Sequence, residues 1–210
     1  MQFLLYSPII PPVTYKEEIA RKLVHLASAT IPLVYCYASR DFMLVALGIL
    51  SAVALGIEFF RATRAGARAF IDRWLGRIIR TAESATMTGA TYVVLGGLLA
   101  IFLFEKRIAI AVLLFLSISD ALASLVGIKF GRVKLLGKKS LAGSLAFFLS
   151  AAAIVSFVQP SAWWIGLLGA FTATIVEALP LKIAGYKLDD NLTIPLIAGA
   201  VMTGLMRWCT

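Results

Sequence analysis

Residues 120–144 read DALASLVGIKFGRVKLLGKKSLAGS, and this stretch decides how the chain folds. Its first part continues an apolar run that begins near residue 107, yet Asp120 sits inside that run. Its second part holds five basic residues, Lys129, Arg132, Lys134, Lys138 and Lys139, followed by a Ser-x-x-Gly-Ser turn that opens the next apolar run. Apolar run, basic loop, apolar run is the pattern of two membrane-crossing helices joined on the side where positive charge collects.

The composition agrees. Of 210 residues, 60% are hydrophobic and only 15% charged, too few to coat a globular surface. Mean hydropathy is +0.92. These values predict an all-α, polytopic membrane protein with a single domain over residues 1–210. The opening MQFLLYSPIIPP lacks a positive n-region and a small-residue cleavage site, so it reads as an interfacial segment and not as a removable leader. Cys36 and Cys209 match no metal or redox spacing and read as plain apolar residues.

Seven apolar segments are predicted to span, at about 22–38, 42–60, 88–104, 107–128, 141–158, 162–180 and 192–208. With the N-terminus in the cytoplasm, all of the 20 basic residues except Arg40, Lys106, Arg107 and Arg207 fall on the cytoplasmic side. The C-terminus then lies on the opposite side. Net charge of +9 is therefore sorted by membrane side, and nucleic acid is not an expected partner. Within the loop 61–87, AFIDRWLGRIIR sets Arg73, Arg77 and Arg80 opposite Ile71, Trp74, Leu75 and Ile78, which predicts a basic amphipathic helix lying on the membrane surface between the second and third spans.

A carboxylate inside a span costs about 2.5 kcal/mol or more, so it faces a cavity, a cation or a partner. Ser124, Gly127 and Gly131 follow Asp120 along one helical stripe toward the basic loop. Glycines on such a stripe either allow close helix packing or let a ligand approach. Lys138, Lys139, Ser140, Gly143 and Ser144 gather at the start of the fifth span, where free N–H groups and the helix dipole favour an anion such as phosphate. No GxxxxGK[ST] loop is present.

Other carboxylates are expected at the same depth. Glu177 ends the sixth span, and Asp189, Asp190 and Asn191 precede the seventh. Glu58 ends the second span and can pair with Arg61, while Asp190 or Asn191 can serve as a helix cap. Carboxylates beside a polyphosphate-sized basic site suit Mg²⁺, with Asp120, Glu177 and Asp190 as candidate ligands. The only histidine, His25, shares a face with Glu18 and Arg21, so metal ligation by a histidine cluster has no support. Thr88, Gly89 and Thr91 stand at the start of the third span, where they can line a polar pocket.

These stretches together resemble the CTP-dependent lipid-alcohol kinases, the family of dolichol kinases, phytol and farnesol kinases and yeast-type diacylglycerol kinase. The resemblance rests on ARKLVH at 20–25, TGATYVVLG at 88–96, SDALASLVGIKFGR at 119–132, GKKSLAGS at 137–144, Glu177 and DDNLTIP at 189–195. It covers most of the chain. It implies transfer of the γ-phosphate of CTP, with Mg²⁺, to the hydroxyl of a membrane-dissolved alcohol. An isoprenoid alcohol such as phytol, farnesol, geranylgeraniol or dolichol is the first expectation, and diacylglycerol the next.

The nucleotide is then expected at Gly127, Lys129, Gly131, Arg132, Lys138, Lys139, Ser140, Gly143 and Ser144. Asp120 and Asp190 are the expected catalytic carboxylates, and Arg21, Lys22, His25, Thr88 and Thr91 the expected contacts to phosphate or acceptor. The partners implied are CTP, the lipid alcohol and membrane lipids; the oligomeric state is not specified. A phosphatidate cytidylyltransferase is the nearest alternative, although no histidine follows His25 to supply that family's Gly-His-Gly-Gly run. An ion or solute transporter is the other.

Overall fold

A helix that is apolar on every side must be buried on every side. The run Ile108 to Leu116 meets that condition, for each of its side chains is buried. The computed structural model describes residues 22, 25–64, 66, 87–135, 139–179, 181–183 and 186–209. In it this run forms the centre of a helical bundle. The surrounding helices are α1 (Thr30–Tyr37), α2 (Arg40–Thr63) and α3 (Gly89–Leu103) before it, then α6 (Leu141–Val158), α7 (Trp163–Ala178) and α8 (Asp190–Cys209) after it. The central rod itself is α4 (Lys106–Leu114), a π-helical turn (Phe115–Ser119) and α5 (Asp120–Phe130). It packs against α1, α6 and α8, while α2 lies outermost against α3.

The outer helices keep one apolar face outward. On α2, Phe42, Val45, Ile49, Val53 and Phe60 are exposed, as suits a surface against hydrocarbon. Backbone polar groups are satisfied within the helices, the condition for crossing a bilayer.

Four helices are long and apolar enough to cross: Arg40–Thr63, Lys106–Phe130, Leu141–Val158 and Asp190–Cys209. The predicted spans at 88–104 and 162–180 are helical but shorter, as Gly89–Leu103 and Trp163–Ala178. The first segment is helical at His25–Ala27 and again over Thr30–Tyr37, with a turn between. The sequence expectation is further corrected at Arg61. It is not a loop residue but a buried part of α2, because its guanidinium pairs with Glu58 at 2.9 Å and lets the helix run on to Thr63. The all-helical expectation also misses one small antiparallel pair, β1 (Lys182–Ile183) with β2 (Tyr186–Lys187). The amphipathic stretch AFIDRWLGRIIR lies outside the described residues.

Two ends of the bundle differ in chemistry. At one, Arg40 donates to the last carbonyls of α3, Ile101 O at 3.1 Å and Phe102 O at 2.6 Å, and Lys106 donates to Ala38 O at 3.0 Å. These cations satisfy helix-end carbonyls that have no intrahelical donor. The other end collects Glu58, Asp120, Lys139, Glu177 and Asp190. A Cβ at Gly96 would collide with the Asn191 carbonyl, which Pro195 leaves without its intrahelical donor, so α3 and α8 are locked together close to that end.

Candidate active site

Asp120 begins α5 directly after the π-helical turn, where its N–H bonds back to Phe115 O. Such turns occur frequently at functional sites. The first helical segment docks on this turn through residues three apart. Lys22 donates to Asp120 Oδ2 at 2.5 Å, and Ser28 Oγ lies 2.8 Å from Ser117 Oγ. Between them, His25 Nε2 lies 2.9 Å from the Leu116 carbonyl and 3.5 Å from Asp120 Oδ2. A carbonyl only accepts, so Nε2 carries a proton. Lys22 and Asp120 are both buried, so neither charge is left to water.

The second part of the site is built at the start of α6. After α5, Leu141 N donates to Val133 O at 3.0 Å and Leu135 N to Lys139 O at 2.9 Å. Ser140 caps α6 by accepting from Gly143 N at 3.2 Å. This places the Lys139 ammonium on Glu177 Oε1 and 3.7 Å from Asp190 Oδ2. Burial alone would lower the lysine's pKa, but the charges of Asp120, Glu177 and Asp190 outweigh it and hold Lys139 above the ordinary amine range. Lys139 is therefore a fixed cation at physiological pH.

Among the described residues, Glu177 Oε2 and Ser144 Oγ are buried oxygens without a hydrogen-bond partner. Ser144 is one helical turn inside α6, next to the end that favours anions. The oxygen-only donor set Asp120, Glu177 and Asp190 is chemically right for Mg²⁺, and Glu177 Oε2 is an acceptor to spare. Among the described residues, however, no three such ligands converge on one point. The Lys139 ammonium stands between Glu177 and Asp190 instead.

The remaining expected site residues divide. Gly127, Gly131 and Gly143 serve helix packing: a Cβ at Gly127 would lie 3.0 Å from Ser140 Oγ, at Gly131 2.7 Å from Ser140 Cβ, and at Gly143 2.7 Å from Ala123 O. Lys129 and Arg132 are exposed, with the Lys129 ammonium 5.3 Å from the Phe130 ring. Thr88 and Thr91 bond to each other and to Glu58. Glu58 Oε1 accepts from Thr88 N at 2.7 Å and Thr91 Oγ1 at 3.1 Å, so these residues tie α2 to α3. The cap of α8 is Asp189, which accepts from Asn191 N at 2.9 Å, and neither Asp190 nor Asn191. Arg21 and Lys138 lie outside the described residues.

Sequence reasoning allows the in-membrane aspartate a nearby lysine as partner but does not identify that lysine as Lys22. The signal was present in the spacing of Lys22, His25 and Ser28, which repeats every three residues.

Over 85% of its length the chain is 33% identical to an uncharacterized protein of Rickettsia prowazekii (strain Madrid E), covering 90% of that protein. The chain belongs to that protein's family. More distant homologues have named activities. CTP-dependent diacylglycerol kinase 1 of Schizosaccharomyces pombe is 27% identical over 91% of the chain and 94% of its own length. The Saccharomyces cerevisiae protein of the same name is 26% identical, over 91% of the chain and 74% of its own length. A probable chloroplastic phytol kinase of Triticum aestivum is 28% identical, over 86% of the chain and 65% of its own length. These homologues support the lipid-kinase family. No family model and no solved structure matches the chain.

Proposed function

We propose that the chain is a membrane kinase that moves the γ-phosphoryl group of CTP to the hydroxyl of a lipid alcohol. The observation that carries this reading is the Lys139 cluster. A cation at the capped start of α6 is shared by Glu177 and Asp190, at the same end of the bundle as the Lys22–Asp120 pair. Phosphoryl transfer needs positioning and charge neutralisation more than covalent help, and this end of the bundle supplies both. The names of the homologues support CTP as donor and a lipid as acceptor.

In this reading Lys139 and the positive end of the α6 dipole hold the phosphates, with the Ser144 hydroxyl as a further donor. Asp120, Glu177 and Asp190 would hold Mg²⁺, which supplies neutralising charge on phosphate oxygens. The proton of the acceptor hydroxyl passes to a carboxylate of this cluster. The new O–P bond forms as the bond from the γ-phosphorus to the bridging oxygen breaks, and CDP departs with that electron pair. The acceptor arrives from the bilayer, either an isoprenoid alcohol or diacylglycerol.

The test is transfer of γ-label from CTP by protein purified in detergent. Phytol, farnesol, geranylgeraniol, dolichol and diacylglycerol are offered singly. Label on one of them, absent with Asp120→Asn, supports the reading and identifies the acceptor; no labelled lipid from any of them overturns it.

A further inference from the structure

Lys139 has a consequence for the order in which ligands enter, and this inference rests on the kinase reading above. Its ammonium occupies the position from which Glu177 and Asp190 can both be reached. Those are two of the three carboxylates suited to a divalent cation. Glu177 is 96% buried, since 4% of its surface remains accessible, and among the described residues its Oε2 has no hydrogen-bond partner, so it is an acceptor to spare. The carboxylates of Glu177 and Asp190 both face the Lys139 ammonium.

An ammonium and a divalent cation repel each other strongly at such separations in a poorly solvated site. They cannot share the same carboxylate oxygens. We infer that Lys139 is a placeholder cation: it excludes the divalent metal from Glu177 and Asp190 until the nucleotide's phosphates draw the ammonium away. The side chain is suited to moving. Its anchor is the loop just before the α6 cap, and 31% of it is exposed, unlike the buried Glu177. A triphosphate at the start of α6 offers the ammonium new oxygens within the reach of a flexible four-carbon stem. Glu177 and Asp190 are then released together. Metal and nucleotide therefore enter as a unit, and the nucleotide-free site is closed to metal.

Lys22 does not play this part. It is buried and bound to Asp120, so that pair stays intact while Lys139 exchanges partners.

The experiment is Mn²⁺ binding, read from the electron paramagnetic resonance signal of free Mn²⁺, with nucleotide-free protein in detergent. Wild type is compared with Lys139→Met, Lys139→Gln and Lys139→Arg, and with Glu177→Gln in the Lys139→Met background. The expected result is weak binding to wild type and Lys139→Arg. Binding should be roughly tenfold or more tighter in Lys139→Met or Lys139→Gln, and lost again on adding Glu177→Gln. Tight binding of Mn²⁺ to nucleotide-free wild type overturns the placeholder role without any variant, and leaves the kinase reading standing. If neither wild type with CTP nor the lysine variants bind Mn²⁺, the metal assignment fails and takes the placeholder role with it. Label transfer from CTP then decides the kinase reading separately.

Discussion

Lys22 and Asp120 lie 98 residues apart in the chain and meet at 2.5 Å inside the protein. The contact joins the first helical segment to the central rod at the π-helical turn. It fixes the only carboxylate that stands within the buried rod, and it does so with a full positive charge.

Breaking a buried ion pair by removing one partner is expensive, about 3–5 kcal/mol, because the other charge is stranded. Lys22→Met should therefore destabilise the protein by about that amount. The double variant Lys22→Met/Asp120→Leu should be markedly more stable than Lys22→Met alone. Thermal unfolding in detergent of the four proteins of this cycle measures the coupling. Equal stability of the single and double variants would contradict the pairing.

The glycines make a separate prediction. Gly143→Ala puts a Cβ 2.7 Å from the Ala123 carbonyl, whereas Gly204→Ala meets nothing within 4 Å. The first should cost about 1–3 kcal/mol by overpacking and the second should be near neutral. Unfolding midpoints of the two variants check this directly.

Thr91 and Glu58 test where the site stops. Thr91→Val removes the hydroxyl's hydrogen bonds to Glu58 and Thr88 and should cost about 1–2 kcal/mol of stability. Transfer per folded molecule should be unchanged, since Thr91 bonds to Glu58 and not to the Asp120 cluster. A fall in kcat without loss of stability would return Thr91 to the substrate site.

Lys139 predicts a pH dependence with a definite sign. Its pKa in the folded protein is raised above the ordinary 10.5, so its contribution to stability is complete below that value and is lost only as pH rises through the folded value. The stability difference between wild type and Lys139→Met should be flat from about pH 7 to about pH 9 and change only in more alkaline solution. A difference that already changes near neutral pH would contradict the assignment.

Hydropathy made most of this fold legible, and charge sorting made one end of it legible. Asp120, Lys139, Glu177 and Asp190 were all expected near that end, because alternating spans bring every second boundary together. Periodicity identifies a face but not the surface it meets, so Gly127 and Gly131 read equally well as a ligand cradle or as a packing seam; Ser140 fills it. Arg61 looked like the first loop residue because a single charge ends a hydropathy window. Its pairing with Glu58 hides that charge and continues the helix. Thr88 and Thr91 looked available because the burial of a distant glutamate cannot be read from hydroxyl spacing. The two-residue strand pair is too short for any period to reveal.

The central claim is that this end of the bundle moves a terminal phosphoryl group. The most direct measurement supplies CTP labelled either at the α- or at the γ-phosphate to purified protein with Mg²⁺ and offers the alcohols and phosphatidate together. The account predicts that γ-label appears on an alcohol while α-label leaves in CDP, and that Asp120→Asn lowers the γ-transfer by roughly a hundredfold or more. Label from the α-position on the lipid, with pyrophosphate released, would contradict it and make the chain a cytidylyltransferase.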